Sequence, residues 1–226
     1  MHLILLSNHH QAWLATLRGV PRLRRFDTVD EEIAVGGRRL RLVRPRSADD
    51  LLDEAVAADV VDAPYWAWLW PSARVLAEAL LARDLRGLRA VELGCGLGLG
   101  AVAAALAGAD VVATDYDADA LAFARENGRR ALGHRLPTLL ADFSDLPAEL
   151  LEAAPFDLVI AADVLYAQGA AAPFASALER LVRPGGEALI AYPWRGQADQ
   201  VVAALGWAAA HRDEAGARLV ELRRPA

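Results

Sequence analysis

The stretch Val91-Glu92-Leu93-Gly94-Cys95-Gly96-Leu97-Gly98-Leu99-Gly100 decides how the rest of the chain is read. Apolar residues lead into an acid, four glycines fall at every second position, and an alanine-rich run follows. This is the pattern of a strand ending in a tight loop that opens a helix. Glycine there permits positive φ and removes the Cβ, so a ligand can lie against bare N–H groups at a helix N-terminus.

Outward from that loop the pattern is regular. Strands are expected at 89–93, 109–114, 138–141, 156–162 and 187–192, separated by helical stretches at 98–107, 117–131, 170–183 and 196–205. Such alternation predicts a parallel sheet with helices on both faces. Two further strands, about 206–211 and 217–223, flank the polar turn Asp213-Glu214-Ala215-Gly216 and predict an antiparallel hairpin at one edge. The expected fold class is α/β: a Rossmann-like, doubly wound, mostly parallel seven-stranded sheet.

Ahead of this domain, residues 31–35 and 38–43 surround Gly36-Gly37, a two-residue hairpin signal. An amphipathic stretch from Leu51 to Val61 follows and ends near Pro64. Residues 1–70 are expected to form an extension of helix, hairpin and aromatic segment, packed on a domain of residues 71–226. His9-His10 lacks a third ligand at suitable spacing and reads as a polar turn, while Trp13, Leu14 and Leu17 fall at helical spacing.

The junction is Asp62-Ala63-Pro64-Tyr65-Trp66-Ala67-Trp68-Leu69-Trp70-Pro71-Ser72. Pro71 sits where a helix would begin. Some of these aromatics must pack the extension onto the domain, and others, beside a glycine-rich loop, can wall a ligand site.

Composition narrows the chemistry. At 226 residues with 55% apolar content, the chain suits one core with an extension. A net charge of −6 argues against a nucleic-acid partner. All 24 basic side chains are arginine, which excludes enzymes that need a lysine of their own, such as Schiff-base formers. Cys95 is the single cysteine and cannot form an internal disulfide, as expected of a cytoplasmic protein. Leu3–Leu6 is too short for a signal sequence, and no uninterrupted apolar run has membrane-spanning length. No metal site is expected.

In doubly wound sheets ligands bind beyond the carboxyl ends of the strands. After the first core strand come Gly94, Cys95 and Gly96; the second ends in Asp115, about 20 residues on, where a carboxylate meets ribose hydroxyls. The third ends in Asp142-Phe143, a carboxylate for an exocyclic amine and a face for a purine. Together these predict an adenosine-containing ligand. Gly96, Gly98 and Ala101 nominally fit a dinucleotide fingerprint, but Glu92 lies where it could take up a charged amino group. NAD offers no such group and S-adenosylmethionine does.

The chain thus resembles the class I, seven-β-strand S-adenosylmethionine-dependent methyltransferases. The likeness lies in Glu92–Gly98, Asp115, Asp142-Phe143 and Pro184-Gly185-Gly186, and covers roughly residues 70–226. More narrowly it resembles the family 16 lysine methyltransferases, whose Asp-x-x-Tyr marker is matched by Asp163-Val164-Leu165-Tyr166. The aromatic stretch at 64–71 resembles the branch that methylates the electron-transfer flavoprotein β subunit, and its bacterial relatives.

The resemblance implies a set of roles. Trp70 contacts the cofactor, Gly94 to Gly96 wrap its methionine part, Asp115 holds its ribose, Phe143 its adenine, and Ala162 lends backbone to the adenine region. Phe143 stands where that family usually has tryptophan; it stacks but lacks the indole N–H. Asp163 and Tyr166 face the acceptor amine, and Trp66 and Trp68 line a channel for an aliphatic side chain. The expected acceptor is a protein lysine ε-amine, and the product S-adenosylhomocysteine. Rival readings are a small-molecule N- or O-methyltransferase, a non-catalytic S-adenosylmethionine-binding module and a nicotinamide-dependent oxidoreductase.

Overall fold

A computed structural model describes residues 23–58, 63–193, 197–214 and 216–226. The expectations for His9-His10 and for Trp13, Leu14 and Leu17 lie outside them.

The described chain opens with an antiparallel hairpin, β1 (Thr28–Val35) and β2 (Arg38–Pro45), turned at Gly36-Gly37. Helix α1 (Ala48–Ala57) follows, capped where the Ser47 side chain accepts from the Asp50 N–H at 3.0 Å. A 3₁₀ turn, Tyr65–Ala67, leads into α2 (Pro71–Leu81), with proline in the first turn as expected.

The main sheet then forms in order β3 (Arg89–Leu93), α3 (Leu99–Leu106), β4 (Asp110–Asp115), α4 (Ala118–Leu132), β5 (Thr138–Leu140), α5 (Ala148–Ala153), β6 (Phe156–Ala162), α6 (Ala171–Leu181), β7 (Val182–Tyr192), α7 (Gln197–Leu205), β8 (Ala208–Glu214) and β9 (Ala217–Arg223). The spatial order is β5-β4-β3-β6-β7-β9-β8. β3 to β7 pair in parallel, and β9 pairs antiparallel with both β7 and β8, so the sheet has the expected architecture.

One face is covered by α2, α3 and α4, with Leu76, Leu80, Leu99, Val102 and Leu121 in its core; α5, α6 and α7 cover the other, around Leu150, Phe174, Leu178 and Val201. Being buried on both faces is what makes the parallel strands read as continuous apolar runs.

Three local differences from expectation have physical reasons. Helix α5 was not expected, because six residues after Pro147 span less than two turns and show no period. The strand expected at 187–192 begins at Val182, with Pro184-Gly185-Gly186 in a bulge inside β7: Phe156 faces Val182, then Leu158 faces Glu187, and the extra residues are absorbed between. The final strand pair begins at 208 rather than 206, since Gly206 at φ 60 completes the end of α7.

The β1–β2 hairpin is tied to α4 and the glycine-rich loop by one buried amide. Asn127 of α4, fully buried, accepts from Val43 N–H (2.7 Å) and donates to Val43 O (3.0 Å) and Leu97 O (2.9 Å). It pairs with β2 as a neighbouring strand would. Arg25 with Asp119 and Arg130 with Asp30 bridge the same seam at the surface.

Candidate active site

β3, flanked by β4 and β6, is central, so its carboxyl end is where a ligand would sit. There the loop is stitched across to β4. Cys95 N–H donates to Thr114 O (2.8 Å), and Gly96 N–H donates to Asp115 Oδ2 (2.8 Å). Asp115 Oδ1 accepts from Asp117 N–H at 3.0 Å, which leaves the carboxylate buried but partnered at both oxygens. Burial pushes its pKa up to about 6, against the pull of the Asp117, Gly96 and Tyr116 N–H groups.

Strand alternation turns Glu92 toward α3. Its Oε2 accepts from Ala101 N–H at 2.7 Å, and a Cβ on Gly100 would come within 2.2 Å of Oε1. Glycine at 100 is therefore room for a carboxylate. Burial, with the neighbouring Asp115 charge, pushes Glu92 up to about 8. Burial also raises the Cys95 thiol well above its usual range, so Cys95 is a small neutral residue rather than a nucleophile.

At the β5 end, Asp142 is exposed and its Oδ1 accepts from Ser144 N–H at 2.7 Å. Phe143 is half-buried and meets Phe174 edge-on, with ring centroids 5.3 Å apart. Ala162 is the half-buried last residue of β6.

Beyond β6, Asp163 is the one non-glycine residue with positive φ among those described, at 58°. Its N–H still donates to Ala191 O (3.0 Å), so the ladder holds while the side chain is redirected, a conformation costing about 1 kcal/mol or more. Burial raises the Asp163 pKa; the nearby Ser72 hydroxyl opposes it, though Ser72 Oγ, fully buried in the first turn of α2, makes no hydrogen bond of standard geometry. The glycine-rich loop touches this segment directly. A Cβ on Gly94, at φ 66, would lie 2.5 Å from Val164 Cγ1.

Aromatics complete this side. Tyr65 and Trp68 stand three residues apart across a 3₁₀ turn, where such positions eclipse, and their rings lie 6.1 Å apart. Tyr65 also meets Tyr166 (5.3 Å) and Trp70 (6.5 Å), and Trp70 Nε1 donates to Tyr65 O at 2.9 Å. Trp66 is turned the other way. It is 8% exposed and packs between Phe26 (5.8 Å) and Phe123 (5.3 Å), in the seam between extension and domain. So the fold gathers Trp68, Trp70 and Tyr166, and sends Trp66 into the packing.

Two residues at this site were not singled out from sequence: Tyr65, and Tyr116, whose hydroxyl lies 3.3 Å from that of Tyr166. Tyr116 directly follows Asp115, so the strand-end rule that found the acid pointed to it as well.

The donor side suits a cationic nucleoside. Glu92 and Asp115 are buried and raised, and no guanidinium acts on either among the described residues. A ligand bearing positive charge supplies what the chain itself does not. Among the described residues no cluster could hold a metal, and no helix is long and apolar enough to cross a membrane.

Comparison with known proteins agrees. A family model described as a methyltransferase domain matches residues 84–217. The chain belongs to that family. Its fold is the class I methyltransferase fold, and solved methyltransferases of that fold hold S-adenosylmethionine or S-adenosylhomocysteine. A curated relative, the histone-arginine methyltransferase METTL23 of Xenopus laevis, is 27% identical over 143 residues, 61% of this chain. The match spans 60% of that relative's length.

Among solved structures, the T. thermophilus 16S rRNA N2 G1207 methyltransferase, in complex with AdoMet and guanosine, aligns over 87% of this chain and 50% of its own, with a TM-score of 0.63 and 21% identity. The N-methyltransferase NodS of Bradyrhizobium japonicum, in complex with S-adenosylhomocysteine, aligns over 79% of this chain and all of its own, with a TM-score of 0.55 and 19% identity. These two likenesses are of fold.

Proposed function

We propose that this methyltransferase acts on a protein and transfers the methyl group to a lysine ε-amine. The observation that carries the reading is Asp163, half-buried at a left-handed backbone position where β6 meets the cleft and followed by the exposed Tyr166. The likeness to a histone-arginine methyltransferase supports a protein acceptor.

S-adenosylmethionine supplies an electrophilic methyl carbon and a neutral leaving group. Everything else falls to the chain. The Asp115 oxygens each keep a lone pair beyond their N–H partners for ribose hydroxyls. Asp142 and Phe143 serve the adenine, Ala162 its backbone contact, and Trp70 the wall beside it. Gly94, Cys95 and Gly96 would border the methionine part, where the two glycines keep the approach free of a Cβ. The Cys95 and Gly96 N–H groups are already bonded to Thr114 O and Asp115, and the Glu92 carboxylate would take the amino group.

At the acceptor, Asp163 would orient the neutral amine and take up the charge that grows on its nitrogen as it is methylated. Its raised pKa fits a desolvated carboxylate seeking a cation. Tyr166 offers a hydroxyl or a π face. Trp68 lines the path of the aliphatic chain, while Trp66, buried, supports Gly96: a Cβ there would come 3.3 Å from Trp66 O.

The likeness to a histone-arginine methyltransferase gives one specific reason for a second reading, a protein arginine as acceptor. The test is incubation with methyl-labelled S-adenosylmethionine and a lysate of the source organism, followed by hydrolysis of the labelled protein. Methyl-lysine is expected, in the electron-transfer flavoprotein β subunit if the branch resemblance extends to the target. Methylarginine would move the acceptor to a guanidinium. Label confined to small molecules overturns the proposal, and intact S-adenosylhomocysteine binding with no transfer points to a binding module.

A further inference from the structure

Six large apolar or aromatic side chains are exposed among the described residues, and four of them stand together: Tyr65, Trp70, Tyr116 and Tyr166. Exposing that much ring surface in one place marks a recognition surface rather than packing. Its position is defined by topology. Tyr116 follows β4 and Tyr166 follows β6, the two neighbours of β3. Their hydroxyl contact at 3.3 Å therefore crosses over the carboxyl end of β3, where the Gly94–Gly96 loop receives the donor. Tyr65 holds the Tyr166 ring from the side of the extension, with centroids 5.3 Å apart and planes at 67°.

We propose that Tyr65, Tyr116 and Tyr166 form one collar over the donor loop that takes a cationic alkyl side chain end-on, with Tyr116 an acceptor-binding residue in its own right. The inference rests on the proposed protein acceptor and extends it. Charge complementarity identifies the occupant: ring faces carry partial negative charge, the Asp163 carboxylate stands three residues before Tyr166 in the same segment, and the chain's net charge of −6 disfavours an anion. Phenol oxygens on two sides can accept from the N–H groups of an ammonium or guanidinium as its alkyl stem passes Trp68. The Tyr116–Tyr166 contact then gives way to contacts with the incoming nitrogen.

The chain has four tyrosines, and the fourth, Tyr192, is buried beside Asp199 at the end of β7. Fluorotyrosine labelling thus gives three collar signals and one internal reference. The protein, saturated with S-adenosylhomocysteine, is titrated with n-butylammonium, n-butylguanidinium and, as neutral control, n-butanol at constant ionic strength. The collar signals should move saturably, with roughly threefold or greater preference for a cation over butanol, while Tyr192 stays fixed.

Tyr116→Ala should weaken the cation response with unchanged calorimetric affinity for S-adenosylhomocysteine, and Tyr116→Phe, which keeps the ring face but lacks the phenol oxygen, should restore only part of it. Equal responses to butanol, movement of all four signals, or loss of S-adenosylhomocysteine affinity in Tyr116→Ala would overturn the inference. Methyl transfer to protein without a collar response removes the collar and spares the proposed function. A collar response without transfer does the reverse.

Discussion

At the β3–β4 side of the cleft, Glu92 and Asp115 are 2% and 4% exposed, and the Cys95 and Gly96 N–H groups already have acceptors. At the β6 side, Tyr166 is 56% exposed and Tyr65 39%, and the aromatics there touch chiefly one another. The proposed donor half is thus set in place by the backbone ladder before any ligand arrives. The proposed acceptor half is a surface held by ring contacts. Rigid, buried carboxylates suit a constant cofactor, whereas exposed rings suit a partner that must enter and leave.

The sharpest way to break the comparison is at Asp115. Asp115→Ala removes the acceptor of two N–H groups and the ribose partner; at about 1.5–3 kcal/mol per hydrogen bond to a charged group, S-adenosylhomocysteine affinity should fall roughly a thousandfold by calorimetry. Retained affinity would mean that the donor half is not where Asp115 lies.

Asn127 tests the join between the halves. Asn127→Ala strands Val43 N–H, Val43 O and Leu97 O without partners, and urea unfolding should show a loss of about 3 kcal/mol. Because the extension carries Tyr65 and Trp68, the aromatic side should loosen first, visible as a shift of tryptophan emission before loss of cofactor affinity.

Asp163→Asn keeps the shape and removes the charge. Turnover should drop about a hundredfold, with S-adenosylhomocysteine affinity within about twofold of wild type. A matching loss of cofactor affinity would place Asp163 in the donor half and blur the division.

pH sharpens it further. Folding raises the Asp115 pKa to about 6 and the Glu92 pKa to about 8, so the ligand-free fold binds protons that the unfolded chain has already released. Its stability should therefore decline as pH rises through 6 to 8, as thermal unfolding would show. A ligand bearing an ammonium group favours both carboxylates in the charged form. Calorimetry in buffers of different ionisation enthalpy should record proton release on S-adenosylhomocysteine binding at neutral pH, and affinity that increases with pH, by at most about tenfold per unit for each proton released. Proton uptake instead would put the amino group away from these carboxylates.

The same division explains what the sequence disclosed. Most donor residues lie in one window, from Glu92 to Asp115, where strand and loop lengths dictate spacing, so glycines and acids could be read in order. The acceptor half joins residues 65–70, 116 and 163–166, which only the fold brings together. Trp66 and Trp68 look equivalent along the chain, yet a three-residue turn sets Trp68 with Tyr65 and drives Trp66 between Phe26 and Phe123. That separation depends on the Tyr65–Ala67 turn, which the aromatic composition did not announce. Asn127 was equally silent, because a single amide in an amphipathic helix reads as a solvated position until its three partners are seen.

Phe143 offers the smallest effect and the finest test of the donor half. Its ring stands edge-on to Phe174 at 88°, half-buried, so one face remains directed away from the core. Phe143→Trp restores the residue usual in the resembling family, enlarges the stacking face and adds an N–H donor. If that face meets the adenine, S-adenosylhomocysteine should bind a few-fold tighter, about 0.5–1 kcal/mol, with little change in thermal stability without ligand. Adenosine alone should gain by the same factor and methionine not at all. That separation matters because the Gly94–Gly96 loop and the β5 end would then act on different ends of one ligand.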